Sequence, residues 1–382
     1  MLTEQKIWTV KNNNWKTVKE FSTDNTLPDL VLVFGSTENF KNPALMLEVK
    51  NLYPKSILMG CTTSGEIGNG FIEEESVVCT AIKFEKSTIQ TSSVKVTSAD
   101  DSIKVGERLI EQLPTDQLKH VFVLSEGLNI NGTKLVEGMR NKLPQGVNVS
   151  GGLAGDGANF KETYILENQN GAHQNTVMAV GIYGNDFKVG YGSYGGWDIF
   201  GVERMVTKST NNVLYEIDNS PALSLYKSFL GEQSAQLPAS GLLFPLSLRT
   251  QNGDEPVVRT ILAIDEDKQS LTFAGDIPEG SYVKLMKANI DHLVDGAHTA
   301  AERANSTMGS SDAELAVLVS CVGRKLVMKQ MTEEEIEAVH EVLGADTTLT
   351  GFYSYGEISP FGKGSACSLH NQTMTVTTFS EK

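Results

Sequence analysis

Gly60-Cys61-Thr62-Thr63-Ser64-Gly65-Glu66, Ser150-Gly151-Gly152-Leu153-Ala154-Gly155-Asp156 and Gly351-Phe352-Tyr353-Ser354-Tyr355-Gly356-Glu357 decide the fold. Each stretch ends in a glycine followed by an acid, and each occupies the same place in a longer order of signals. Ahead of the first lies an apolar strand over residues 31–34, then a helix with Asn42 as cap and Pro43 at its first position. Leu45, Val49 and Leu52 share one face of that helix, Pro54 follows it, and a strand over 77–82 closes the unit. The second unit begins at 121–124, continues through a helix carrying Leu135, Val136, Met139 and Leu143, stops at Pro144 and ends in a strand over 176–182. The third begins at 316–319; Thr332 and Glu335 read as a capping box, Gly344 as a left-handed stop, and 373–379 as the last strand. Segments 102–113 and 289–304 supply a helix ahead of the second and third units.

Residues 185–285 read differently. Short β-rich runs at 257–264 and 270–273 alternate with turn clusters Gln251-Asn252-Gly253-Asp254 and Asp265-Glu266-Asp267, while 213–217 runs as a strand into a helix over 221–230. The expected fold is α/β, with mixed sheets covered by helices, three strand-helix-strand-turn-strand repeats and a β-rich insert. A boundary near Gly201 divides the chain into residues 1–201 and 202–382.

A length of 382 residues suffices for two domains with full cores. Hydrophobic residues at 40% and charged residues at 21% exclude a disordered chain. No run reaches the ~20 apolar residues of a spanning helix, and MLTEQKIWTVKNNNW lacks the order of a signal peptide, so a cytoplasmic location is expected. Thirty-two basic against 47 acidic residues give a net charge of −15, which repels nucleic acid and anionic lipid. Cys61, Cys79, Cys321 and Cys367 are far apart and form no C-x-x-C pair, so free thiols are expected. Cys367 and His370 form C-x-x-H without a second half, and no metal site is expected.

Loops at strand ends of α/β folds are where ligands sit. The polar first turn therefore nominates Cys61, Thr62, Thr63 and Glu66. In the third unit, Ser320-Cys321-Val322-Gly323-Arg324 places an arginine at a strand end, where its fork can meet the carboxylate of a ligand or of Glu357, or merely bridge two loops. Together with the aromatic turn this nominates a cleft of Cys321, Arg324, Tyr353 and Glu357. Gly190-Tyr191-Gly192-Ser193-Tyr194-Gly195 matches G-x-G-x-x-G, but no helix follows, so a dinucleotide site is rejected. Period two from Leu369 puts His370 on the face of Met374 and Val376, and His298 shares a helix face with Val294 and Ala301.

These motifs resemble the FIST family, a prokaryotic sensory module with an N-terminal and a C-terminal part. The first two glycine-acid turns match the N-terminal part. The C-terminal part is matched by Val206-Thr207-Lys208-Ser209, Tyr215-Glu216-Ile217-Asp218, Pro221-Ala222-Leu223, Ser320 to Arg324, Gly351 to Ile358 and Leu369-His370-Asn371-Gln372-Thr373. The resemblance implies a sensor of a small, amino-acid-like ligand that signals in trans to a separate protein. Stand-alone family members include haem-binding nitric-oxide sensors that regulate a histidine kinase. On that model haem b would be held by His370 first, or His298, with nitric oxide on the open face. The alternative is a cysteine-dependent enzyme using Cys321 or Cys61. A sensor, not an enzyme, is expected.

Overall fold

The central strand of each unit is apolar on both faces, a pattern that demands cover from both sides and suits a parallel pair joined by a helix. In the computed structural model, which describes residues 1–250, 255–309 and 311–382, all three units answer that demand with the same pairings. Leu30–Gly35 runs parallel to Ile57–Thr62 and antiparallel to Ser76–Lys83. Leu118–Ser125 runs parallel to Asn148–Leu153 and antiparallel to Thr176–Tyr183. Leu315–Cys321 runs parallel to Thr348–Ser354 and antiparallel to Met374–Ser380. Outside each closing strand lies one more antiparallel strand: Leu2–Thr9, Thr88–Lys95 and Lys188–Tyr194 respectively.

The units interlock by exchanging the strand that follows the turn. Glu66–Gly68 pairs with Thr348–Ser354 of the third unit, Gly356–Pro360 with Asn148–Leu153 of the second, and Ile165–Glu167 with Ile57–Thr62 of the first. Each sheet is thus completed by a neighbour, and one apolar core containing Leu32, Phe34, Phe122, Val180, Val317 and Phe352 serves all three. Phe34 and Phe352 meet there with ring centroids 4.8 Å apart.

Local chemistry explains the helices. Asn42 caps Pro43–Leu52 by accepting from the amides of Ala44 and Leu45. The capping box expected at Thr332–Leu343 does not form: Thr332 donates to the Lys329 carbonyl, and Glu335 turns inward to a buried arginine. Gly344 ends that helix at φ +82°. Gly190 and Gly192 lie in a strand, where a Cβ would stand 2.1 and 1.9 Å from the carbonyls of Ala304 and Ala300. The two glycines, with the buried Ala297, Ala300, Ala301 and Ala304, let Ile290–Met308 lie directly on the sheet.

The insert forms an antiparallel sheet in which Asp198–Thr210 pairs with Tyr282–Lys287 and Val213–Ile217. Helix Ala222–Leu230 packs into it through Ala222, Leu223 and Tyr226, against Val206, Leu271 and Phe273. The boundary expected near Gly201 falls inside the strand Asp198–Thr210. The run expected over 257–264 is two strands, Val257–Arg259 and Ile261–Asp265. The turn cluster expected at 251–254 lies outside the described residues.

Candidate functional site

The three glycine-acid turns converge. The Ser64 amide donates to the Tyr353 carbonyl at 2.8 Å, the Tyr353 amide to the Gly65 carbonyl at 2.9 Å, the Gly155 amide to the Thr62 carbonyl at 2.9 Å and the Tyr355 amide to the Leu153 carbonyl at 3.2 Å. Their acids are buried and held from within. Glu66 accepts from Thr63 and from the hydroxyl and amide of Ser76; Glu357 accepts from Ser354 and from the hydroxyl and amide of Thr373. Asp156 accepts from the amides of Phe160, Lys161 and Glu162 and from the Tyr355 hydroxyl. Burial raises the carboxyls of Glu66 and Glu357 to about 7 and about 8, although the hydroxyl and amide donors pull the other way.

Beside this junction lies a cleft of about 1130 Å³. Unit one contributes Ser36 to Asn39, Thr63 to Glu66, and Glu74 with Glu75; unit two contributes Asp156 to Asn159, Lys161 and Glu162; unit three contributes Val322, Lys325, Leu326, Lys329 and Gln330. Lys325 is its anchored cation. Its Nζ donates to the Ser64 carbonyl at 2.7 Å, pairs with Glu74 at 2.5 Å and stands 5.5 Å from the Tyr353 ring centroid. Thr37 Oγ1, also in the lining, is buried without a partner among the described residues.

Of the first nominated group, Thr63 and Glu66 line the cleft. Thr62 accepts from the Tyr164 amide behind it, and Cys61 packs into the shared apolar core, where burial pushes its thiol far above the ordinary range. Of the second group, none lines the cleft. Arg324 is fully buried, and its partner is Glu335, not Glu357: Nε and Nη2 donate to Glu335 Oε2 at 3.1 and 2.8 Å. Tyr353 donates to the same carboxylate at 2.6 Å, and Ser320 donates to it at 3.0 Å. Glu357 sits apart with Ser354 and Thr373, and burial also pushes up the Cys321 thiol.

Sequence reasoning missed Lys325, the neighbour of Arg324. On a helix, adjacent residues point about 100° apart, and here Arg324 turns inward to Glu335 while Lys325 faces the cleft. That phase was available in Val322–Met328 as a signal.

Neither nominated histidine lines the cleft. His370 is fully buried, its Nε2 donates to the Ser359 carbonyl at 2.8 Å, and burial lowers its pKa to about 4. It does not share a face with Met374 and Val376, because the strand Cys367–His370 ends there and Gln372 turns the chain at φ +57° into a strand of another sheet. His298 is half-exposed and sits 3.7 Å from Glu302, away from the cleft.

The FIST N domain matches residues 29–220, and the FIST C domain matches residues 222–360. The chain belongs to the FIST family. FIST domains are small-ligand sensory domains in signalling. A similar protein is MJ1623 of Methanocaldococcus jannaschii, described as uncharacterized, which is 23% identical over 366 residues covering 86% of this chain and 69% of that one. Among solved structures, a cyanuric acid hydrolase from A. caulinodans aligns with 77% of this chain and 99% of its own at 10% identity, with a TM-score of 0.18 that carries no weight for fold or function. Among the described residues no helix is long and apolar enough to cross a membrane.

Proposed function

We propose that the cleft between the three units is the ligand site of this FIST protein, and that it takes a small zwitterion such as an amino acid. One observation carries the reading: a single cleft of about 1130 Å³ is walled by residues of all three units and presents both carboxylates and an anchored ammonium, Lys325. A zwitterion needs both signs of charge, and a volume near ~1,000 Å³ accommodates a small ligand with its water. Because the walls belong to different units, a ligand that fits one arrangement of them better shifts the protein toward it. The signal passes in trans, in the cytoplasm, to a separate signalling protein; a histidine kinase is the partner the resemblance nominates. Haem and nitric oxide are not part of this reading, since His370 and His298 lie outside the cleft. Nor is covalent turnover by Cys61 or Cys321, since burial holds both as neutral thiols.

Calorimetric titration with each of the twenty common amino acids tests the proposal. Saturable binding of at least one is expected, weakened about tenfold, or ~1.4 kcal/mol, by Lys325→Met. Binding by none overturns the ligand class; binding indifferent to Lys325→Met and Glu66→Gln moves the site elsewhere.

A further inference from the structure

The short helix Val322–Met328 separates the cleft from the insert, and its two faces do different work. Val322, Lys325 and Leu326 line the cleft. Val327 and Met328 pack instead with Trp197, Val258, Met286 and Leu293, with Leu242 against them. Arg324 fixes the middle of the helix: Nη1 donates to the Gly195 carbonyl at 2.5 Å, and Nη2 to the Leu293 carbonyl at 2.7 Å. Cleft-side tethering is weaker. Lys325 is bound to one carbonyl and to Glu74, whose side chain is 70% exposed, and an ion pair with an exposed partner contributes little.

The insert side has no slack. A Cβ on Gly323 would stand 2.7 Å from the Gln372 amide group, so the helix backbone rests on that side chain. Gln372 in turn donates to the Leu242 carbonyl at 3.3 Å, and its own carbonyl accepts from Trp197 Nε1 at 2.8 Å. Close-packed contacts of this kind transmit displacement instead of absorbing it.

We propose that this helix carries the state of the cleft to the insert. An anionic ligand group that draws Lys325 away from Ser64 and Glu74 rotates the helix about Arg324 and displaces Met328, Trp197 and the Gln372 contact with Leu242. The trigger rests on the cleft being the ligand site; the coupling itself does not, and variants expose it without ligand.

The test uses the full chain with Trp8→Phe and Trp15→Phe, which leaves Trp197 as the single tryptophan of three. Lys325→Met removes the tether, and Trp197 emission with acrylamide quenching reads the far side of the helix. The quenching constant is expected to change about two-fold with a shift in emission. Glu38→Gln, a substitution of a cleft residue off the helix, leaves both unchanged. Glu74→Gln alters only an exposed residue and is expected to move Trp197 in the same direction, so the test survives a Lys325→Met protein that fails to fold. An unmoved Trp197 in the folded variants overturns the coupling, and so does a cleft ligand that binds without altering Trp197. A shift with Lys325→Met, where no amino acid binds, upholds the coupling while the ligand reading fails.

Discussion

Arg324 and Glu335 are each fully buried, 2.8 Å apart, with Tyr353 and Ser320 completing the shell of Glu335. Glu335→Met leaves a buried guanidinium with no counter-charge, which costs about 3–5 kcal/mol. Arg324→Met leaves Glu335 with two hydroxyl donors and strips the Gly195 and Leu293 carbonyls of theirs, adding about 1–3 kcal/mol to a loss of similar size. The double variant removes both charges, so most of the desolvation penalty disappears with them. It is expected to cost little more than either single change, with a coupling energy of roughly 3 kcal/mol. Urea unfolding of the four proteins, with unchanged m-values, measures this. Additivity within about 0.5 kcal/mol would refute the assignment of Arg324 to a structural pair and return its guanidinium to the ligand.

Three further outcomes follow from the same geometry. Glu66 and Glu357 titrate near 7 and 8 when folded against an ordinary 4.5, so the folded chain keeps protons that the unfolded chain has released as pH rises above about 4.5; wild-type stability therefore falls across pH 5 to 8 by up to ~1.4 kcal/mol per pH step per group, and Glu66→Gln with Glu357→Gln flattens that fall in urea titrations. Gly192→Ala places a methyl 1.9 Å from the Ala300 carbonyl and is expected to lower stability by several kcal/mol; a neutral result in thermal unfolding would mean that the helix does not rest on the strand. All four cysteines are buried free thiols, so a chromogenic disulfide reagent should react with none quickly in the folded protein and with four after unfolding, and a fast-reacting thiol would revive the enzyme reading.

The repeat was legible because its punctuation is local: Asn42 with Pro43, Gly344, and central strands apolar on both faces all act within a few residues of themselves. The exchange of turn strands was not legible. Glu66–Gly68 finds its partner in Thr348–Ser354, and nothing within the turn states which sheet edge it will meet. Thr332 and Glu335 failed as a capping box for a related reason: a buried arginine offers a carboxylate more than a helix amide does, so the tertiary partner won. His370 failed because a period-two face requires an unbroken strand, and the left-handed Gln372 breaks it.

The site itself shows why the expected cleft and the observed one differ. Strand ends of α/β folds do gather ligands, and that rule pointed to Thr63 and Glu66, which line the cleft, while Asp156 and Lys325, which line it too, were not nominated. Aligning the turns, however, sets Tyr353 of the third against Thr62 of the first and Gly152 of the second, and Tyr355 against Ser64 and Ala154. The aromatic side chains that made the third turn resemble a ligand platform are the ones that fill its space. Tyr353 closes over Glu335, and Tyr355 stacks on Phe160 with centroids 4.4 Å apart while bonding Asp156. Arg324 and Glu335 then occupy with the protein's own ions the position where a ligand's charge was expected. Room remains beside the first turn, where Thr63, Ser64 and Gly65 are small, and there the cations in the lining come from neighbouring elements, among them Lys325 from the third unit and Lys161 from the second. In a protein built from interlocked repeats, small side chains in a turn are therefore a better guide to an open site than a polar or aromatic set, because the larger groups are the ones its own repeats use to seal one another.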